Sequence, residues 1–340
     1  MRTVRIALAG VGNVGRGFLQ LMRDKGDIVR KRYGIDMSLV AAADRSGIVV
    51  NPTGIDPAAL LALKESGVGV AGFAGGRLGE EPLAALDGAD VLLESTLTDL
   101  KTGQPGLDVI RTALERGLDV VSANKGPLVL AYGDLMARAK AAGRQLRFSA
   151  AVCSGLPTVN IGRRDLVAAD IDRMEGIFNS TTNYILEAMA TGASFADALA
   201  EAQRVGVAET DSSLDIEGWD TANKLVILAN SVLGVPATLD NVKVQGIIGI
   251  TAGDLQGAQA AGQAIKLLAT ATRNADGGYA LSVAPTTLPG DHPMAKVRGW
   301  QMGIVYYTDI MGVLSASVDE FGPVPTGAAM LRDVIDIYSA

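Results

Sequence analysis

Val4-Arg-Ile-Ala-Leu-Ala-Gly10-Val-Gly12-Asn-Val-Gly15 stands near the start of the chain, with Phe18, Leu19, Leu21 and Met22 following at helical spacing. An apolar run, a glycine-rich turn and an amphipathic stretch in that order read as strand, tight turn and helix. The first glycine permits the turn, the second lets a pyrophosphate approach the backbone, and the third lets helix and strand pack closely. Asn13 and Val14 complete the turn, and the free amides at the helix start face the phosphates. A bare Gly-x-Gly-x-x-Gly is often an ordinary turn; its flanks here make it a dinucleotide site. A second apolar run, Met37 to Ala43, ends in Asp44, where an acid accepts ribose hydroxyls. Asp44 favours NAD. The adjacent Arg45 and Ser46 suit a 2′-phosphate, and the spacing from the glycines exceeds the usual roughly twenty residues, so NADP stays open beside NAD.

Outward from this turn, strand-like and helical runs alternate: Ala89–Glu94, a helix around Leu107 to Arg116, Asp119–Ala123, a helix around Gly133 to Ala142, and Gln145–Phe148. Such alternation predicts a parallel sheet with helices on both faces, a Rossmann-type dinucleotide-binding domain over residues 1–150. Ligands bind at the carboxyl ends of such strands. Ser95 and Thr96, then Ser122, Asn124 and Lys125, fall at those ends; taken alone, a loop lysine such as Lys125 is usually just solvated. At Ala150-Ala-Val-Cys-Ser-Gly-Leu-Pro157 the character changes to a small-residue loop that marks the crossing into a second domain, 151–317. There Met174–Phe178 reads as a strand. Asn179-Ser-Thr-Thr-Asn183 reads as a polar turn opening a helix, and its hydroxyls, Thr181 among them, either cap that helix or help receive a carboxylate. Val242–Ile250 reads as a strand followed by a short turn, strands are expected at Ile265–Ala271 and Tyr279–Ala284, and a last helix at Thr326–Tyr338.

The segment Gly206 to Lys224 carries the chemistry. Glu209, Asp211, Asp215, Glu217 and Asp220 crowd before a run that lacks Pro and Gly until Gly234 and turns apolar on nearly every side after Leu225. A helix apolar all round belongs to a core. Asp220 and Lys224, four residues apart, share one of its faces. An isolated pair of this kind is normally a surface salt bridge, but ionisable groups gathered at the mouth of a buried helix do chemistry or bind a charged ligand.

Composition narrows the class. The 340 residues suffice for two cores, and the 48% hydrophobic content includes no run long enough to cross a bilayer. The N-terminus has no signal-peptide pattern, and the single cysteine, Cys153, excludes an intrachain disulfide, so a cytoplasmic protein is expected. A net charge of −7 without a basic stripe argues against nucleic acid as partner. One histidine, His292, lies in a turn-like segment and reads as a surface or packing residue; with one cysteine beside it there is no transition-metal set.

Taken together, the glycine turn, Ser122-Ala-Asn-Lys125, Ser154-Gly-Leu-Pro157, Gly176-Ile-Phe-Asn-Ser-Thr-Thr-Asn-Tyr-Ile185, Ala208-Glu-x-Asp211, Asp215-x-x-Gly-x-Asp220-x-x-x-Lys224 and Pro325-Thr326 resemble homoserine dehydrogenases in order and spacing over essentially the whole chain. The resemblance implies an α/β fold, a Rossmann-type domain followed by an α+β catalytic and dimerisation domain, with 318–340 returning to the first. It implies reversible reduction of aspartate 4-semialdehyde to L-homoserine by NAD(P)H, in amino-acid biosynthesis toward threonine and methionine, by a homodimer. Lys224 matches the family's acid/base lysine and Lys125 its second active-site lysine; Asp220 holds Lys224 or helps bind substrate. Glu209 and Asp215 match positions that contact the substrate's amino group, and Thr181 with nearby amides takes its carboxylate. Three departures stand out. Ser149 replaces a Glu that helps bind a structural monovalent cation near Val152, so no metal, or at most a weak sodium site, is expected. Asp211-Ser212 replaces Asp-Pro, and Val207 replaces a small aromatic. A short form without an ACT or aspartokinase domain is expected. A dehydrogenase for another small amino-acid-derived aldehyde or alcohol, and a non-catalytic dinucleotide sensor, are the alternatives.

Overall fold

The computed structural model describes residues 1–79, 84, 86–166 and 168–339. The chain divides into two units, Met1–Gly155 with the chain from Phe321 onward, and Leu156–Glu320. In the first unit β1 (Arg2–Ala9), β2 (Ile35–Asp44), β3 (Gly47–Val50), β4 (Gly76–Leu78), β5 (Val91–Glu94), β6 (Asp119–Ser122) and β7 (Leu146–Arg147) form one sheet in the order β4-β3-β2-β1-β5-β6-β7. Its helices are α1 (Asn13–Tyr33), α2 (Pro57–Glu65), α3 (Gly106–Glu115) and α4 (Lys125–Ala141), joined by the chain's last helix. The core gathers Val4, Ile6 and Leu8 of β1, Phe18 and Leu19 of α1 and Leu39 of β2, all 0–1% exposed. Burying each such side chain contributes about 1.5–3 kcal/mol.

Pairing is parallel from β2 through β1, β5 and β6 to β7, as the alternation predicts. The edge differs. β3 and β4 run antiparallel, because Gly47 (φ 142°) turns the chain straight back after Asp44 instead of crossing over through a helix. Strand order reverses beside β1, between β2 and β5, which is where doubly wound sheets bind ligands.

The second unit contains α5 (Thr158–Asn160), β8 (Ile171–Ile177), α6 (Ser180–Ala190), α7 (Phe195–Arg204), α8 (Ser213–Ile216), α9 (Trp219–Ser231), β9 (Val242–Val244), α10 (Ala252–Ala260), β10 (Gln263–Arg273), β11 (Tyr279–Pro289), β12 (Met302–Thr308) and β13 (Gly312–Val318). The last helix, α11 (Val324–Tyr338), belongs to the first unit. Six strands form a sheet in the order β13-β12-β8-β10-β11-β9, antiparallel except for β11 and β9. Helices α6, α9 and α10 pack on β10. Leu225, Val226, Ile227, Leu228 and Ala229 of α9 are all fully buried, as expected of a helix apolar on every side.

Candidate active site

The charged end of α9 meets the junction between β8 and α6. Gly218, at φ 89°, turns the chain into α9, a geometry that favours glycine. Asp220 then lies in the first turn, where the helix dipole favours an anion, and Lys224 follows one turn later on the same face. Lys224 Nζ donates to Asp220 Oδ2 at 2.7 Å and to the Phe178 carbonyl at 2.5 Å. Both side chains are 12% exposed, so this is no surface ion pair. Asn179 joins in from the end of β8. Its Nδ2 donates to Asp220 Oδ2 at 2.9 Å and to Asp215 Oδ1 at 2.6 Å, while its Oδ1 caps α6 by accepting from Thr182 N at 2.9 Å. One lysine, two carboxylates and one amide thus form a connected polar group at the edge of an apolar core.

The other acids of this segment are not brought into that group. Glu209, Asp211 and Glu217 are exposed, and the Asp211 carboxylate caps Ser213 N locally. Thr181 lies in the first turn of α6, its hydroxyl donating to the Val207 carbonyl at 2.9 Å. His292 is more than a surface residue. Its Nδ1 accepts from Met294 N, and its Nε2 lies 3.0 Å from Glu175 Oε2 and 2.9 Å from the Tyr307 hydroxyl. Asn179 was legible only as a cap, because its carboxylate partners lie 36 and 41 residues away along the chain.

In the first unit the three glycines have three different surroundings. Gly10 sits at φ 92°, and a Cβ on it would lie 2.3 Å from the Ser95 carbonyl oxygen; a Cβ on Gly15 would lie 2.2 Å from the Gly10 oxygen. Gly12 has nothing within 4 Å of a Cβ position, and as N-cap of α1 it leaves the helix without a side-chain cap or an acid in the first turn. A turn closed at its first and last glycines and open at its middle one, before uncapped amides, fits a pyrophosphate. Asn13 is exposed and Val14 half-buried beside it.

Glu94, at the end of β5, organises the neighbouring strand ends and escaped notice in the sequence, where it looks like any strand-terminal acid. It is fully buried. Its Oε1 accepts from Thr96 N (2.9 Å), the Thr96 hydroxyl (2.5 Å) and Asn124 Nδ2 (3.2 Å), and its Oε2 from the Ser122 hydroxyl (2.8 Å). Burial pushes its carboxyl above the usual range, against these donors. Ser95 Oγ donates to the Gly10 carbonyl at 2.7 Å, so Gly10, Ser95 and, through Glu94, Thr96, Ser122 and Asn124 form one connected group, with Ser122 and Asn124 buried. Lys125 lies in a helix, not in the loop expected there: Asn124 Oδ1 caps Gly126 N at 3.0 Å, and Lys125 opens α4. Pro127 falls in that first turn, where its missing N–H costs nothing.

At the end of β2, Asp44 is committed to protein groups. Its carboxylate accepts from Lys64 Nζ, from Ser46 N and Oγ, and from Val70 N. Burial disfavours its charge, yet these bonds prevail and hold the carboxyl below its usual range. Lys64 lies twenty residues downstream on α2, too far for local sequence reading to pair it with Asp44. Arg45 is exposed. Near Val152, where the family resemblance implies a monovalent cation, Ser149 gives its hydroxyl proton to Asp333 Oδ1 at 2.8 Å and accepts from Arg332 Nη2 at 3.2 Å. A neutral oxygen already facing a guanidinium is a poor ligand for a second cation, so the residues present do not fit that metal.

The homoserine dehydrogenase family model matches residues 157–335, and a model of glutamate, leucine, phenylalanine and valine dehydrogenases matches residues 1–97. An NAD(+)-dependent homoserine dehydrogenase from Pseudomonas canavaninivorans is 34% identical over all of this chain and 97% of its own length. A homoserine dehydrogenase from Methanocaldococcus jannaschii is 36% identical over 98% of both chains. A hyperthermophilic archaeal homoserine dehydrogenase solved in complex with NADPH superposes with a TM-score of 0.84 at 25% identity, covering 99% of this chain and 98% of that one. The family model covers more than half of the residues, and the relatives align from end to end: this chain belongs to the homoserine dehydrogenase family.

Proposed function

We propose that this protein interconverts L-homoserine and L-aspartate 4-semialdehyde with NAD or NADP, and that Lys224 is its acid/base. The observation that carries the mechanism is the Lys224, Asp220, Asn179, Asp215 network. Hydride transfer to an aldehyde carbon leaves an alkoxide that needs a proton. A bound nicotinamide supplies or accepts the hydride. Lys224 gives its proton to the alkoxide oxygen in reduction and removes it from the hydroxyl in oxidation. Asp220, 2.7 Å from the ammonium, fixes its position by a charge-assisted hydrogen bond. Asp215, with Glu209, receives the substrate's amino group, and the amides at the start of α6 beside Thr181 receive its carboxylate. Lys125 supplies a second cation for the reacting oxygen.

Gly10, Gly12, Asn13, Val14 and Gly15 hold the pyrophosphate, and Ser95, Thr96, Ser122 and Asn124 line the way from it toward the reacting ring. The Asp44–Lys64 pair supports use of both nucleotides: neutralised by Lys64, Asp44 repels a 2′-phosphate less than a lone acid would, and Arg45 stands exposed beside it. In this reading the first unit binds the nucleotide and the second the substrate. A homodimer is supported by Ile310, Met311 and Val313, which are 52–64% exposed on the hairpin that carries the edge strand β13. No helix of the described residues is long and apolar enough to cross a membrane, and a single cysteine, the buried Cys153, accords with the cytoplasm.

Replacing Lys224 by Met tests the mechanism. Loss of an acid/base is expected to lower kcat by about 10²–10⁴, while nucleotide affinity, measured by fluorescence titration, changes by less than about twofold. Retention of more than roughly a tenth of the wild-type kcat would remove Lys224 from this role.

A further inference from the structure

The loop from Ser149 to Gly155 is held in an unusual conformation by side chains of α11. Cys153 and Ser154, two successive residues other than glycine, have φ values of 57° and 53°. Such angles persist only where the surroundings enforce them. Thr326 Oγ1 lies 2.6 Å from Ser154 Oγ. Asp333, 1% exposed, accepts from both the N–H and the hydroxyl of Ser149, each at 2.8 Å. Arg332 spans the loop. Its Nη1 donates to the Gly155 carbonyl at 3.1 Å and its Nη2 to Ser149 Oγ at 3.2 Å, so one planar guanidinium grips the first and last residues of the segment.

We infer that Arg332 is the loop's resident cation, standing where family resemblance implies a monovalent metal ion, and that this enzyme needs no such ion to order the loop. A metal ion there would require oxygen ligands with negative charge close by. The acid is absent from position 149, the serine oxygen faces the guanidinium, and the nearby carboxylate, Asp333, is occupied by Ser149. A metal ion bound to the Gly155 carbonyl would sit against a fixed positive charge that bonds to the same oxygen. Arg332 also balances the buried Asp333: burial pushes that carboxyl up, while the charges of Arg332 and Arg147 oppose the rise. The positive charge, the bridging of two loop oxygens and the neutralisation of an acid are thus supplied covalently by α11.

The test uses the full chain exchanged into choline chloride and titrated with sodium or potassium chloride at constant ionic strength, reading both thermal unfolding and turnover. The wild type is expected to respond to neither ion, with rates within about twofold across the three salts. A saturable rise in its Tm or rate with sodium or potassium would overturn the inference. Arg332→Ala is expected to unfold at lower temperature and, unlike the wild type, to gain Tm saturably with guanidinium ion in the low-millimolar range, where the free ion refills the vacated place. A variant with unchanged Tm, or one that loses stability with guanidinium as the wild type does, would also overturn it. Should Arg332→Ala fail to fold, Arg332→Lys, which keeps the charge and loses the fork, takes its place: its Tm is expected below that of the wild type with no saturable response to sodium or potassium, and a Tm equal to the wild type's would overturn the inference. These readings of unfolding do not depend on which substrate is turned over.

Discussion

Asn179 uses both ends of one amide. Its oxygen caps α6 through Thr182 N, and its nitrogen gives one proton to Asp215 and one to Asp220. Without it two carboxylates lose the donor that holds them together, and a helix loses its cap. Asn179→Ala is expected to reduce kcat/KM for homoserine by roughly tenfold to a hundredfold, from the loss of hydrogen bonds to charged groups at about 1.5–3 kcal/mol, and to lower stability by about 1 kcal/mol. Steady-state kinetics and thermal unfolding on one preparation measure both; wild-type kcat/KM in a destabilised variant would make Asn179 a cap and nothing more. At this scale the sequence was legible where partners are local. Asp220 and Lys224 are one helical turn apart, and their pairing could be read directly. The crowd of acids before them could not be sorted, because α8 is a single turn whose exposed and inward positions depend on packing that spacing does not encode. Only Asp215 and Asp220 turn inward to meet Asn179.

Between elements, Glu94 ties the ends of β5 and β6 by accepting from Thr96, Ser122 and Asn124. Burial raises its carboxyl above the range of an unfolded chain. The folded protein therefore holds a proton there more tightly than the unfolded one, and the associated stability, complete below the ordinary carboxyl range, is lost as pH rises through the raised value. Glu94→Gln keeps the shape and removes the charge. The Tm of this variant relative to wild type is expected to rise as pH is taken from about 4.5 to 8, by calorimetry at several pH values. A relative Tm that falls with pH would mean that the donors around Glu94 outweigh its desolvation. Elements with a strong apolar period, β1, α1, β2 and α9, were readable for that reason. Others had little pattern to read. In α7 alanines form the buried face, Ala198 and Ala202, and α10 buries only Leu255 and Ala258, so neither carries a stripe of large apolar residues. The start of α4 was hidden by Gly126 and Pro127, which look like breakers, and by a non-helical residue at Ala131 that makes the later stretch look like the whole helix.

At the scale of the whole molecule, the glycine turn and the Lys224–Asp220 pair are built in separate units, and the chain passes between the units after Gly155 and again after Glu320. The glycine pattern and the alternation of elements made the first unit legible in outline; its antiparallel edge was not, since a short hairpin strand carries the same composition as a parallel one. The antiparallel sheet of the second unit was legible only in part, because β13 alternates exposed and half-buried small residues. Family membership supplies the reaction, and Lys224, Asp220, Asn179 and Asp215 form a connected set of donors, acceptors and charges. The most direct test is the initial rate of NAD and NADP reduction by the purified protein with L-homoserine, beside L-serine and L-threonine as alternative alcohols. The expected result is turnover of L-homoserine with at least one nucleotide, favoured over the others by about 10² or more in kcat/KM. Nucleotide binding without turnover of L-homoserine, or equal turnover of all three alcohols, would contradict it.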